Sequence, residues 1–80
     1  MTNRHEELQA NINSYVWGVG SVGYTDAEII AELQDNLRYA IQRQDTPWIE
    51  VVQATLARIR RDGLTRIKRE GARHYLRLVE

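Results

Sequence analysis

The stretch that decides the fold runs from Pro47 to Glu80 and reads PWIEVVQATLARIRRDGLTRIKREGARHYLRLVE. Its first half has apolar residues at helical spacing, which form one stripe: Ile49, Val52, Leu56 and Ile59. Thr46 can cap a helix, and Pro47 suits the first helical position. Gly63 is a natural left-handed residue at a helix end, and Leu64 can cover that end. The pattern therefore predicts a helix from Pro47 to about Asp62.

The residues after Gly63 predict a β-hairpin. Residues 65–68 have a strand-like alternation, and in residues 74–79 one face would carry His74, Leu76 and Leu78 and the other Tyr75, Arg77 and Val79. Between them, residues 69–72 have the composition of a turn. The alternative is a fourth helix, because Leu64, Ile67, Tyr75 and Leu78 also have workable helical spacing. Gly71 lies in the middle of that segment, and glycine is unfavourable inside a helix. We therefore expect the hairpin.

Two further helices are predicted before Pro47. Asn3 and Glu6 have capping-box spacing and begin a first helix that reaches about Trp17. A glycine-rich connector follows at residues 18–24. Thr25 and Glu28 form a second capping box, so the second helix begins at Asp26 and reaches about Arg43.

The order of these elements resembles the winged helix-turn-helix superfamily. Residues 52–64 look like its recognition helix and the exit into the wing, and residues 71–78 look like the return strand of the wing. The resemblance implies a mainly α (α+β) fold, in which three helices precede a C-terminal two-stranded β-hairpin wing. It also implies that residues 1–80 form one domain that binds DNA.

The charges are divided unevenly along the chain. From Arg58 to Val79 there are eight basic and two acidic residues, a net charge of +6. The remainder has three basic and nine acidic residues, a net charge of −6, so the whole chain is neutral. A strongly basic end of this kind commonly binds polyanions.

The predicted DNA-binding residues lie on the third helix and the hairpin. Base edges would be contacted by Glu50, Ala54, Arg58 and Arg61. Phosphates would be contacted by Arg60, Arg66, Lys68, Arg69 and Arg73. Thr46 and the free amides at the start of the third helix would bind a further phosphate.

The expected function is that of a small transcriptional regulator or accessory factor that binds double-stranded DNA. The alternative is a protein-interaction module, such as a phage- or plasmid-type accessory or inhibitor protein. A homodimer would use the apolar residues around the glycine-rich connector, namely Trp17, Val19, Val22 and Tyr24. Trp48 is expected in the core, with base stacking as the alternative.

Several classes of site are not expected. The chain has no cysteine, and His5 and His74 have no ligand at metal-binding spacing, so no metal and no cofactor are predicted. Residues 18–23 match G-x-G-x-x-G, but 80 residues are too few for a dinucleotide-binding fold. No catalytic set is visible, and we expect no enzyme. The absence of a signal sequence and of an apolar span predicts a cytoplasmic protein without membrane contact.

Overall fold

A computed structural model describes residues 3–79, and it contains four α-helices. They are α1 (Arg4–Ser21), α2 (Asp26–Gln42), α3 (Thr46–Asp62) and α4 (Thr65–Val79). The predicted C-terminal hairpin is wrong, because residues 65–79 are helical and no strand occurs in the part of the chain that the structure describes. The fold is all-helical, as in the alternative prediction, and the winged-helix architecture is excluded.

The tail is helical because its buried residues follow a helical period. Leu64 and Ile67 are almost completely buried, and Gly71 is buried one turn further on. This spacing of three and four residues is that of one helix face, whereas a strand would bury every second residue. Gly71 is therefore not a turn residue. It lies where α4 crosses α1, and its missing side chain allows the two helices to approach.

The helix α1 is longer than predicted. It continues through Gly18 to Ser21, whose hydroxyl donates to the Gly18 carbonyl at 2.8 Å. The expected connector at residues 18–24 is reduced to residues 22–25, with Gly23 at a φ of 106°. Only the end of the G-x-G-x-x-G match is therefore a turn.

Most of the predicted helix ends are confirmed. Asn3 caps α1, and Thr25 with Glu28 forms a complete capping box at the start of α2. Gly63 ends α3 at a φ of 80°. The cap of α3 differs from the prediction, because Asp45, and not Thr46, accepts the Trp48 amide.

The core lies between two helix pairs, with α1 packed mainly on α4 and α2 packed mainly on α3. It contains Ile12, Val16, Ile29, Leu33, Val51, Val52, Ile59, Leu64 and Ile67. The buried face of α3 is rotated from the predicted stripe. Val51 and Thr55 are buried, while Ile49 and Leu56 are only partly buried. Thr55 is tolerated there because its hydroxyl donates to the Val51 carbonyl at 2.8 Å.

Trp48 packs against this core, as expected, and it also contacts the second half of α2. Its ring nitrogen donates to the Asn36 side chain at 2.6 Å, and its ring meets Tyr39 edge-on at 5.7 Å between centroids. Both partners lie in the second half of α2. The start of α3 therefore holds the end of α2 in place.

Candidate nucleic-acid interface

Four arginines lie along one exposed side of α4, where Arg73 and Arg77 also line grooves against α1. We call them the arginine row: Arg66, Arg69, Arg73 and Arg77. All four are exposed. At about 100° per residue they fall within an arc of about 80°. With a rise of 1.5 Å per residue, the row is about 16 Å long. It is a continuous basic edge on a single helix.

The opposite side of α4 fixes this row to the domain. Ile67 is 1% exposed and Leu64 is 4% exposed, so the first turns are anchored in the core. Gly71 lies against the backbone of α1 at Asn13. Trp17 of α1 stacks on Tyr75 with 4.8 Å between ring centroids. The arginines are therefore presented by a helix that is packed along most of its length.

Glu70 partly neutralises the row from its inner edge. Its carboxylate pairs with Arg58 of α3 at 3.3 Å and with Arg66 at 3.4 Å. The Asn13 side chain also donates to it at 3.2 Å. Because Arg58 is half-buried in this cluster, the structure does not present it to base edges as the sequence predicted.

The remaining basic residues of the predicted set differ in how far they are neutralised. Lys68 pairs with Asp26 at 3.3 Å, and Arg61 pairs with Asp62 at 3.2 Å. Arg60, Arg69 and Arg73 form no ion pair with any carboxylate in residues 3–79. Arg60 lies on the side of α3 that faces α2, where it lines a cleft with Ile30, Gln34, Leu56 and Ile59. The structure therefore separates Arg60 from the arginine row.

The predicted base-reading face of α3 is exposed at Glu50, Ala54 and Arg61, but its first turns border α1. Glu50 and Ala54 line a groove against the start of α1, where Glu50 lies 3.8 Å from His5. Asp45 occupies the start of α3 and pairs with Arg4. A carboxylate at this helix start repels a phosphate, which disfavours the anion site predicted around Thr46.

The residues expected to mediate self-association differ in whether they are buried or exposed. Val19 packs on the core, and Trp17 is half-buried against Tyr75. Val22 is 76% exposed and Tyr24 is 39% exposed in the short turn before α2. The four residues therefore do not form one surface.

The rest of the described surface offers grooves but no metal centre. The grooves are open and shallow, and residues 3–79 hold no group of three metal-ligating side chains. None of the described helices has the length and apolar character to cross a membrane. His74 lies beside Arg73 and Arg77 in a groove against α1.

Arg77 is the member of the row that the sequence interpretation missed. The helix places it in line with Arg66 and Arg73. The spacing of arginines at residues 66, 69, 73 and 77 is the signal that a helical interpretation of the tail would have used.

No protein-family model matches this sequence, and neither the curated proteins nor the solved structures contain a significant match. The functional argument therefore starts from the geometry of the arginine row.

Proposed function

We propose that the protein binds double-stranded DNA through the arginine row of α4. The observation that carries this proposal is the alignment of four exposed arginines on one anchored helix face. Arginine is the side chain best suited to phosphate, because its planar guanidinium donates two parallel hydrogen bonds. This replaces the basic wing that the sequence predicted with a helix of the same charge.

The binding we propose is directed at the phosphate backbone. A helix of this kind lies along or across the duplex, and its arginines contact successive phosphates over about 16 Å. On the face of α3 that was expected to contact bases, Arg58 is held by Glu70, and Glu50 places a carboxylate beside α1. We therefore expect weak sequence preference from one copy of the domain.

A role as an accessory factor in transcription or in another DNA transaction suits this mode of binding. Such factors act by coating or bridging DNA, and they need affinity for the backbone more than for one site.

The test is fluorescence anisotropy of a labelled random-sequence duplex at about 50 mM and about 200 mM salt. Four phosphate contacts predict a fall in affinity of about 100-fold between these conditions. The variant Arg69→Ala/Arg73→Ala should bind less tightly and should reduce the salt slope by about two contacts.

The matched control is Arg38→Ala/Arg43→Ala, which removes the same charge from the outer side and end of α2. It should change the salt slope little, because neither residue lies on α4. Equal losses in the two variants would show that only the net charge matters and would refute the arginine row as the contact. No binding by the unchanged protein at low salt would refute the proposal as a whole.

The second candidate function is binding of a protein partner. It is favoured by Leu76, which is 53% exposed on α4 and lies beside Arg69 and Arg73 at helical spacing. An acidic protein surface with an apolar centre would contact both features. Absence of DNA binding together with Leu76-dependent capture of one defined acidic protein would favour this candidate.

A further inference from the structure

We infer that the arginine row also binds the outer face of α2 from a second copy of this chain. The inference is independent of the proposed function, because it rests on two faces of the protein itself. If both contacts occur, self-association and DNA compete for the same arginines.

The partner face is a row of carboxylates on α2, which we call the acidic row: Glu28, Glu32 and Asp35. All three residues are exposed. At about 100° per residue they lie within an arc of about 60° on the side of α2 that faces away from Ile29 and Leu33. The acidic row and the arginine row are therefore both outer edges of the domain.

The spacings of the two rows match when the helices run antiparallel. The acidic row has gaps of four and three residues, and Arg66, Arg69 and Arg73 have gaps of three and four. In the antiparallel register Asp35 faces Arg66, Glu32 faces Arg69 and Glu28 faces Arg73. The rise per residue is the same in both helices, so all three pairs come into range together.

The carboxylates of the acidic row keep capacity for another donor. Glu28 Oε1 accepts the Thr25 amide, and Glu32 Oε2 accepts the Tyr15 hydroxyl. Asp35 Oδ1 pairs with Arg38. Each side chain therefore keeps its second oxygen without a hydrogen-bond donor from residues 3–79.

We assign the partner as a second copy because the acidic row and the arginine row belong to the same chain but do not contact each other within it. No ion pair joins the acidic row to the arginine row in the described structure. The chain has a formal net charge of zero, so two copies have no overall repulsion to overcome. Complementary charge then favours the orientation in which unlike faces meet.

The contact is expected to be weak and sensitive to salt. Exposed ion pairs contribute little individually, and salt screens them. A dissociation constant on the order of 100 μM at low salt suits a small interface of this type. Because two different faces meet, the contact either closes into a symmetric dimer with two such pairs or extends into longer chains.

The experiment is sedimentation velocity of the full chain, up to about 0.5 mM, in about 20 mM and about 500 mM salt. The unchanged protein should gain mass with concentration at low salt and return to the 9.3 kDa monomer at high salt. A monomer under all conditions would overturn the inference.

Two double variants test the faces separately. Arg69→Gln/Arg73→Gln neutralises the arginine row, and Glu32→Gln/Asp35→Asn neutralises the acidic row. Glu28 is kept because it caps α2. Circular dichroism should show both variants folded, and each alone should lose at least ten-fold in self-association.

Mixing the two variants gives the decisive result. One variant keeps a native acidic row and the other a native arginine row, so the mixture should form a 1:1 heterodimer that grows no further. A mixture that associates no more tightly than either variant alone would overturn the α2–α4 pairing, because only the mixture keeps one native pair of rows. The acidic-row variant should keep its affinity for DNA, which separates this inference from the proposed function.

Discussion

Gly71 of α4 lies directly against the backbone of Asn13 in α1. A Cβ atom built on Gly71 would be 1.9 Å from the Asn13 carbonyl oxygen and 2.9 Å from the Trp17 Cβ atom. Real Cβ atoms do not approach backbone atoms so closely. The crossing of α1 and α4, and with it the position of the arginine row, therefore depends on the absence of a side chain at residue 71.

The first prediction is that Gly71→Ala destabilises the protein. The added methyl group must push two packed helices apart, and overpacking of this kind costs about 1–3 kcal/mol or more. The control is Gly18→Ala, because a Cβ at that helical position meets nothing within 4 Å. Alanine there should stabilise the fold by about 0.5–1 kcal/mol. Urea denaturation of both variants measures the difference, and equal midpoints would contradict the close crossing.

The second prediction is that Glu70→Gln strengthens binding to DNA. Removing this carboxylate releases Arg58 and Arg66, which both pair with it. The salt slope should increase by about one contact if the Arg58 guanidinium then contacts a phosphate, because Arg66 already counts among the four contacts of the row. Anisotropy at several salt concentrations measures this slope.

The control for that prediction is Asp35→Asn, which changes the net charge by the same amount on a different helix. Its effect on the slope should be small, since Asp35 lies on α2 and pairs with Arg38. If Glu70→Gln binds DNA no more tightly than Asp35→Asn does, then Glu70 does not weaken DNA binding by neutralising the arginine row, and the prediction is contradicted.

The third prediction concerns Tyr15. Burial raises the pKa of its hydroxyl, and the charge of Glu32 and the hydrogen bond to Glu32 raise the pKa further. The contribution to stability is complete below the unfolded pKa of about 10 and is lost as the pH rises through the higher folded value. NMR of ring-labelled tyrosine should show that Glu32→Gln lowers the pKa of Tyr15. An unchanged pKa would contradict the contact.

The fourth prediction distinguishes a capping threonine from a non-capping one. Thr25→Ala removes the side chain that accepts the Glu28 amide, and the loss should destabilise the protein by about 1 kcal/mol. Thr46→Ala should cost less than about 0.5 kcal/mol, because Asp45 caps α3. Thermal unfolding of the two variants gives the comparison. A larger loss at Thr46 would show that the assigned cap of α3 is wrong.

The pKa of Glu28 is lowered by its hydrogen bonds to the Thr25 backbone and side chain. The capping box therefore stabilises α2 above the unfolded pKa of glutamate, and this contribution is lost as the pH falls through the lower folded value. Thr25→Ala should reduce the pH dependence of unfolding in this acidic range, which Thr46→Ala should leave unchanged.

The sequence by itself determined most of the helix ends and part of the core. Asn3, Thr25 and Gly63 act through their own backbone and the residues beside them, so their roles follow from local chemistry. The position of Ile59 in the core followed from the helical spacing of α3. The uneven charge distribution was also visible without a structure, because it depends only on the order of residues.

Only the tertiary structure decided whether the last fifteen residues form a helix or a hairpin. The segment fits both periods, and Gly71 suits a turn locally as well as it suits a close helix crossing. The contact with Asn13 on α1 is distant in sequence, so no local pattern could show it. That contact makes residues 65–79 one helix, and the helix places Arg66, Arg69, Arg73 and Arg77 in a single row.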